Sequence, residues 1–306
     1  MSLTDLLTPA DVLEQVAKAL PPEVRAHVII IGSLAAGYHF FGEDGAAAIR
    51  TKDVDCLLSP HAKAVSAAAV IAQEMRKSHW TQREDAQWGK PGDPSTATEL
   101  LPMVRLKPPS TDGWFLELLS APPQYQFGQA GKRLERISTD EGDYAICSFG
   151  YLSLVEYMPL ETPYGIRVAR PEMMALANML HHPGIGDDVI GGTSYKRSNK
   201  DLGRVIALAH LAIMRDRKNG TDEFAQWPIT MWHALTQKFE SHAGELARHA
   251  GTGISQLMAS PGDQKQALEI ANRGLLASLE IGLPAINATA NRLQVEVIEE
   301  LASMSM

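Results

Sequence analysis

Cysteine, positive charge and long apolar runs are all scarce in this sequence, and each scarcity narrows its class. The two cysteines, Cys56 and Cys147, lie in apolar contexts without metal-ligand spacing, so buried free thiols are expected rather than a disulfide framework or zinc site. Lys and Arg number 28 against 36 Asp and Glu, and the net charge of −8 argues against a surface that coats nucleic acid broadly. Any RNA partner would have to be met locally. No apolar run approaches a membrane span, and the first twenty residues lack a basic start followed by an apolar stretch, so a cytoplasmic protein without membrane contact is expected. No internal repeat or low-complexity tract is present. What remains, 45% hydrophobic and 21% charged over 306 residues, is the composition of a soluble globular chain long enough for two subdomains.

Thr8-Pro9 followed by helical apolar spacing over residues 10–20 predicts an N-terminal helix, leading into a strand at 28–31. A second helix is expected at 59–78. Two short apolar runs, 101–106 and 114–119, read as strands joined by a turn-rich loop at 108–113. Further extended pieces are expected at 144–147 and 165–169, and a helix from Pro171 to about His181. From Asp201 onward the patterns are mainly helical, with stops at Gly220, Pro228, Gly251, Gly262 and Pro284. The boundary therefore falls in the glycine-rich 184–193 stretch, between an α/β domain, 1–185, and an α-helical C-terminal domain, 186–306.

The most informative segment is Asp53-Val54-Asp55, which follows the apolar run Val28-Ile29-Ile30-Ile31 and its glycine-serine turn, Gly32-Ser33. In a strand, residues i and i+2 share a face, so Asp53 and Asp55 would stand side by side. Adjacent carboxylates repel, and a hard cation such as Mg²⁺ relieves the repulsion. The turn can offer backbone N–H groups to a phosphate at a helix start, with Gly32 permitting close approach and Ser33 donating to a phosphate oxygen. Plainer roles exist for each: Ser33 as a helix cap, Asp53 and Asp55 as an exposed strand face. Glu117 interrupts five apolar neighbours, and a buried carboxylate needs a partner. A salt bridge to Arg105 across the proposed hairpin is its structural alternative.

Taken together, Gly32-Ser33, Asp53-Val54-Asp55 and Glu117 within Trp114-Phe115-Leu116-Glu117-Leu118-Leu119 resemble the polymerase-beta-like nucleotidyltransferase superfamily. The segment Arg50-Thr51-Lys52-Asp53-Val54-Asp55 looks especially like the abortive-infection (AbiEii-like) nucleotidyltransferase toxins of bacteria. The resemblance covers about residues 25–120, with a weaker match to about 210. It implies a nucleotidyltransferase-fold mixed sheet flanked by helices, followed by a helical domain. It also implies transfer of a nucleoside monophosphate from a nucleotide triphosphate to an acceptor hydroxyl on RNA such as tRNA, on protein or on a small molecule, releasing pyrophosphate. By resemblance Asp53, Asp55 and Glu117 would be the catalytic acids and would ligate Mg²⁺ or Mn²⁺. Tyr195-Lys196-Arg197-Ser198-Asn199-Lys200-Asp201-Leu202 resembles the family's basic-x-x-Lys-Asp-Leu segment, which implies nucleotide contacts from Arg197, Lys200 and Asp201. The plain alternative there is a helix start, with Ser198 or Asn199 as cap. A catalytically inactive relative acting as a binding protein, with a cognate antitoxin or in phage defence, is the other reading. It is favoured by departures from the family pattern: Arg204 replaces a second acid, Asn178 replaces a lysine, and the spacing from Ser33 to Asp53 is long.

Other polar clusters read as structural. His181-His182 stands at a helix end, where imidazoles can satisfy carbonyls. Asp140-Glu141-Gly142-Asp143 reads as a solvated turn, and Met173, Met174 and Met179 as core. The Gly184–Gly192 stretch reads as a lid or a linker.

Overall fold

The computed structural model describes residues 6–42, 49–83, 89–109, 113–121, 133–185 and 188–305, divided between Ala169 and Arg170 into two units. In chain order the first unit contains β1 (Leu6–Leu7), α1 (Pro9–Ala19), α2 (Pro22–Arg25), β2 (Val28–Ile30), α3 (Gly32–Phe41), β3 (Ile49–Arg50), β4 (Asp53–Leu58) and α4 (His61–Lys77). There follow β5 (Thr81–Gln82), β6 (Arg105–Lys107), β7 (Phe115–Ser120), β8 (Arg133–Thr139), β9 (Gly142–Ser148), β10 (Leu160–Glu161) and β11 (Arg167–Val168). Among the described residues β1 pairs only with β3; the main sheet runs β10-β11-β2-β4-β7-β6-β5, with β9 also paired to β7 and β8 to β9. The fold is thus mixed α/β.

The centre of the sheet positions the site. β2 and β4 are antiparallel, β4 and β7 parallel, and β7 and β6 antiparallel. A parallel pair needs a long crossover, and the segment between β4 and β7 includes α4, which packs on both. Both strands carry the same burial pattern: alternating half-buried and buried over Asp53–Cys56 and Phe115–Leu118, then buried continuously to Leu58 and Ser120. A strand covered on both faces reads as an unbroken apolar run, whereas alternation marks one open face. The open part of the face therefore lies at the start of both strands. Trp80 and Trp114, both buried, meet edge to face with centroids 5.5 Å apart and hold down the chain just before β5 and β7.

Sequence periodicity does not predict β8. In Arg-Leu-Glu-Arg-Ile-Ser-Thr the apolar residues are three apart, and extension comes instead from seven consecutive pairings with β9. The turn between them carries Asp140 and Glu141 at an exposed tip, as expected, with Gly142 at φ +125°. Asp143 departs from the solvated-turn reading: it is buried and accepts a hydrogen bond from Arg136.

The second unit is helical: α5 (Pro171–His181), α6 (Arg197–Asn219), α7 (Trp227–Phe239), α8 (Ala243–His249), α9 (Thr252–Ala259), α10 (Pro261–Arg273), α11 (Leu283–Leu293) and α12 (Glu300–Ser303). Residues Gln294–Glu299, between α11 and α12, are π-helical. α6 is the hub, packed on α5, α10 and α11. Its Gly203 lets the α10 backbone come close, since a β-carbon there would stand 2.8 Å from the Ala267 carbonyl oxygen. Gly220, left-handed at φ +66°, ends α6 as expected, but Pro228 and Pro284 stand in the first turns of α7 and α11, where no amide hydrogen is needed. Met173, Met174 and Met179 are buried in α5, as expected. The units part ahead of the glycine-rich stretch because α5 packs on α6 and α7 and so belongs with the helices.

Within that stretch, residues 188–197 fold back on themselves. Val189 bridges Lys196, and the amides of Ile190 and Arg197 donate to the carbonyls of Tyr195 and Asp188 at 2.9 and 2.7 Å. The lid-or-linker reading also covers residues 186–187, which lie outside the described residues, as do the Glu43-Asp44-Gly45 insertion and residues 110–112 of the expected turn. Among the described residues no helix is long and apolar enough to cross a membrane.

Candidate functional site

The site begins where β2 hands over to α3. Ile31 donates its amide to the Asp55 carbonyl at 2.9 Å, which pins the end of β2 to β4. The chain then turns at Gly32, with φ +71°, and a β-carbon there would stand 2.9 Å from Asp55 Oδ2. Glycine is therefore required twice, for its backbone angle and for the carboxylate lying against it. A carboxylate at this end of a helix is favourably placed against the helix dipole. Ser33 lies inside the first turn of α3, whose N-cap is Ile31, and among the described residues no side chain caps the helix; the capping role for Ser33 is not what the structure shows.

Asp53 and Asp55 share the half-buried face of β4, as the i, i+2 rule requires. In the parallel register Asp55 stands beside Glu117 and Asp53 beside Phe115. Asp53 is held from below, Thr51 Oγ1 donating to its Oδ1 at 2.9 Å and to its carbonyl at 3.0 Å. Glu117 is bonded across the next strand pair, where Arg105 is its direct antiparallel partner and Arg105 Nε donates to Glu117 Oε2 at 2.8 Å. The structural alternative for Glu117 is thus present. With the two side chains 29% and 16% exposed, the pair is part-solvated rather than sealed in the core. Behind Asp55, Cys56 is fully buried; burial first, and then the Asp55 charge, push its thiol pKa far up, so it is no nucleophile at neutral pH.

In donor chemistry Asp53 and Asp55 suit a hard divalent cation. Among the described residues, however, no three or more His, Cys, Asp and Glu side chains are grouped so as to hold a metal ion. The two aspartates fit such an ion by type and face, while Glu117 carries Arg105 instead.

Arg197, Lys200 and Asp201 all lie on the first turns of α6, in the second unit. Arg197 is exposed and Lys200 half-buried. Asp201 is buried against α5, its Oδ2 3.4 Å from His181 Nδ1, so the first of the two helix-end histidines meets a carboxylate across a helix contact. Their neighbours are committed to α10: Asn199 donates to Asp263 Oδ1 at 2.8 Å and to Gln266 Oε1 at 2.9 Å, and Lys196 Nζ lies 3.3 Å from Asp263. A cleft of about 260 Å³ opens beside them, lined by His182, Lys196, Asn199, Gln256 and Asp263 among others, and by none of Arg197, Lys200 and Asp201. The His182 ring sits under Gly253, where a β-carbon would come within 2.2 Å of it, and burial lowers its pKa. Sequence spacing could not reveal this cleft, because its walls come from the turn after α5, the start of α6, and α9 and α10.

No protein-family model, no curated protein and no solved structure matches the chain.

Proposed function

We propose that the protein is a metal-dependent nucleotidyltransferase that moves a nucleoside monophosphate from a nucleotide triphosphate to an acceptor hydroxyl, with release of pyrophosphate. The observation that supports this reading best is the pairing of Asp55 with Glu117 on neighbouring parallel strands, with Asp53 on the same face and Gly32 opening a helix against Asp55. These are the motif positions of the resemblance, and they fall on adjacent strands of a mixed sheet. Asp53 and Asp55 would hold Mg²⁺ or Mn²⁺, with Glu117 as the third carboxylate. The ion would neutralise charge on the transferred phosphoryl group. Gly32 and the first turn of α3 orient phosphate oxygens through backbone N–H groups. Glu117 accepts the proton of the acceptor hydroxyl as its oxygen bonds to the α-phosphorus and the bond to pyrophosphate breaks.

The test is incubation of the full chain with each labelled ribonucleotide triphosphate, Mg²⁺ and total cellular RNA or lysate protein. Label on RNA or protein is the expected result. Its absence with all four nucleotides, together with no rise in melting temperature at millimolar Mg²⁺-nucleotide, would remove the reading. If RNA is the acceptor, binding should weaken only modestly with salt, because the acidic chain allows few phosphate contacts.

A second reading, a catalytically inactive nucleotidyltransferase-like protein that binds a partner such as an antitoxin, is favoured by the Arg105–Glu117 ion pair. It predicts that Glu117→Gln destabilises the protein and changes no transfer, there being none to change. The first reading predicts a retained fold and a fall of at least about a hundredfold in transfer.

A further inference from the structure

The first amides of a helix have no partner within it and need acceptors from elsewhere. At the start of α6 two of them find one in the chain: the Lys196 amide donates to Gln266 Oε1 at 3.2 Å, and the Arg197 amide to the Asp188 carbonyl at 2.7 Å. The next two, of Ser198 and Asn199, have no acceptor among the described residues, although these residues are only 5% and 3% exposed. The Asn199 side chain is bonded to Asp263 and Gln266. The Ser198 hydroxyl, by contrast, has no partner among the described residues, and no side chain there caps α6.

Ser198 and Asn199 both line the cleft of about 260 Å³. Thr252 and Gly253, in the first turn of α9, line it as well, and among the described residues no side chain caps that helix either. Two helix N-termini, each the positive end of a dipole, thus border one space. Buried donors without an acceptor are costly, so three of them at such a place call for an oxyanion. Its size is bounded: the volume is below the roughly 300–1,000 Å³ of sites for drug-sized ligands, which leaves out a nucleotide. Its charge is bounded too, because Asp263 in the same lining, held by Asn199 and Lys196, repels a dianion more than a monoanion. Leu202, Leu257 and Pro183 give the cleft an apolar wall, which suits a short hydrocarbon chain.

We propose that this cleft binds a small aliphatic carboxylate. Its carboxyl group accepts from the amides of Ser198 and Asn199 and from the Ser198 hydroxyl, and its chain lies against Leu202, Leu257 and Pro183. The site shares no residue with the nucleotidyl transfer proposed above, and neither depends on the other.

Titration of the isotope-labelled full chain with sodium pentanoate, followed by the nuclear magnetic resonance shifts of the Ser198 and Asn199 amides, tests this. Both signals are expected to move and to saturate with a dissociation constant of about 1 mM. Pentanamide, which has the same shape without the charge, should bind at least about tenfold more weakly. Acetate, which lacks the chain, should also bind about tenfold more weakly, and inorganic phosphate more weakly than pentanoate. Ser198→Ala should weaken pentanoate about tenfold while melting as the wild type does. No saturating shift of either amide up to about 100 mM pentanoate would overturn the site. Pentanamide binding as tightly as pentanoate would make the ligand neutral and overturn the carboxylate, and phosphate binding more tightly would do the same in favour of an inorganic anion. Acetate binding as tightly as pentanoate would overturn the placement of the chain. A folded Ser198→Ala protein with unchanged affinity would overturn the role of the hydroxyl; if that variant does not fold, the four ligands compared on the wild type decide the proposal.

Discussion

In the helical unit Asp263 is bound by Asn199, Lys196 and the Ser260 cap, Asp216 accepts from Thr221, Glu223 and Phe224, and Arg292 grips both oxygens of Glu296 at 2.6 Å. In the α/β unit the charged residues of β4 to β6 stand in like-signed ranks that meet at one described ion pair. The same residue types serve opposite ends. Helices α6 and α10 use their polar groups to fix one another, whereas β4 sets two aspartates on one half-buried face beside Glu117 of β7.

Five substitutions bear on that contrast, the largest effect first. Asp53→Asn or Asp55→Asn should lower both Mg²⁺-nucleotide binding and transfer, the latter by at least about a hundredfold, while the apo protein keeps its fold. A sharp loss of apo stability in either variant would place these aspartates with the structural charges of the helical unit. Asp216→Ala should behave in the opposite way. It strips partners from the buried amide of Phe224 and from Thr221, and should cost about 1–3 kcal/mol, at about 2–4 °C per kcal/mol in melting temperature, without touching transfer.

The pH dependence of stability should report on the helical unit as well. Burial lowers the pKa of His182 and of His210, the latter also through Arg217. Asp263, bonded to Asn199, and Asp216, where hydrogen bonds outweigh burial, are both held below the usual carboxylate range. All four folded values lie under the unfolded ones, so their contributions are complete above the unfolded pKa and are lost as pH falls. Melting temperature should be level near neutral pH, decline from about 6.5 as the two histidines take up protons only on unfolding, and fall again below about 4. His210→Gln should flatten the first decline. A melting temperature that rises between pH 7 and 5 would contradict these assignments. The smallest effect is expected at Arg197, exposed on the first turn of α6: Arg197→Ala should shift stability by no more than about 0.5 kcal/mol. A larger loss would add it to the network around Asp263.

Much of the fold was legible because its signals are local. The apolar run of β2, the glycine that opens α3 and the proline that opens α5 each act within a few residues. The Arg105–Glu117 bond followed from hairpin logic, two short apolar runs separated by a turn-rich loop. β8 was not legible, because only its pairing with β9 extends a segment whose apolar residues are three apart. The stacking of Arg83 on Phe115 was not legible either: it depends on pairings between strands distant in sequence, and no spacing rule reports such a register. The contact of Asp201 with His181 depends likewise on how α5 crosses α6. Pattern shows which face a residue takes; only topology shows what shares that face.

The matched alternation of β4 and β7 gives this surface an evolutionary freedom. Val54, Cys56, Leu116 and Leu118 answer to the interior, while Asp53, Asp55, Phe115 and Glu117 between them do not. Substitutions that alter chemistry and substitutions that alter folding therefore fall on different codons. The arrangement also corrects itself, because a slip of one residue would bury both aspartates and turn Val54 and Cys56 toward solvent, a misfold the core rejects. A lineage can lose, exchange or regain chemistry on this face in a few mutational steps while the protein continues to fold as before.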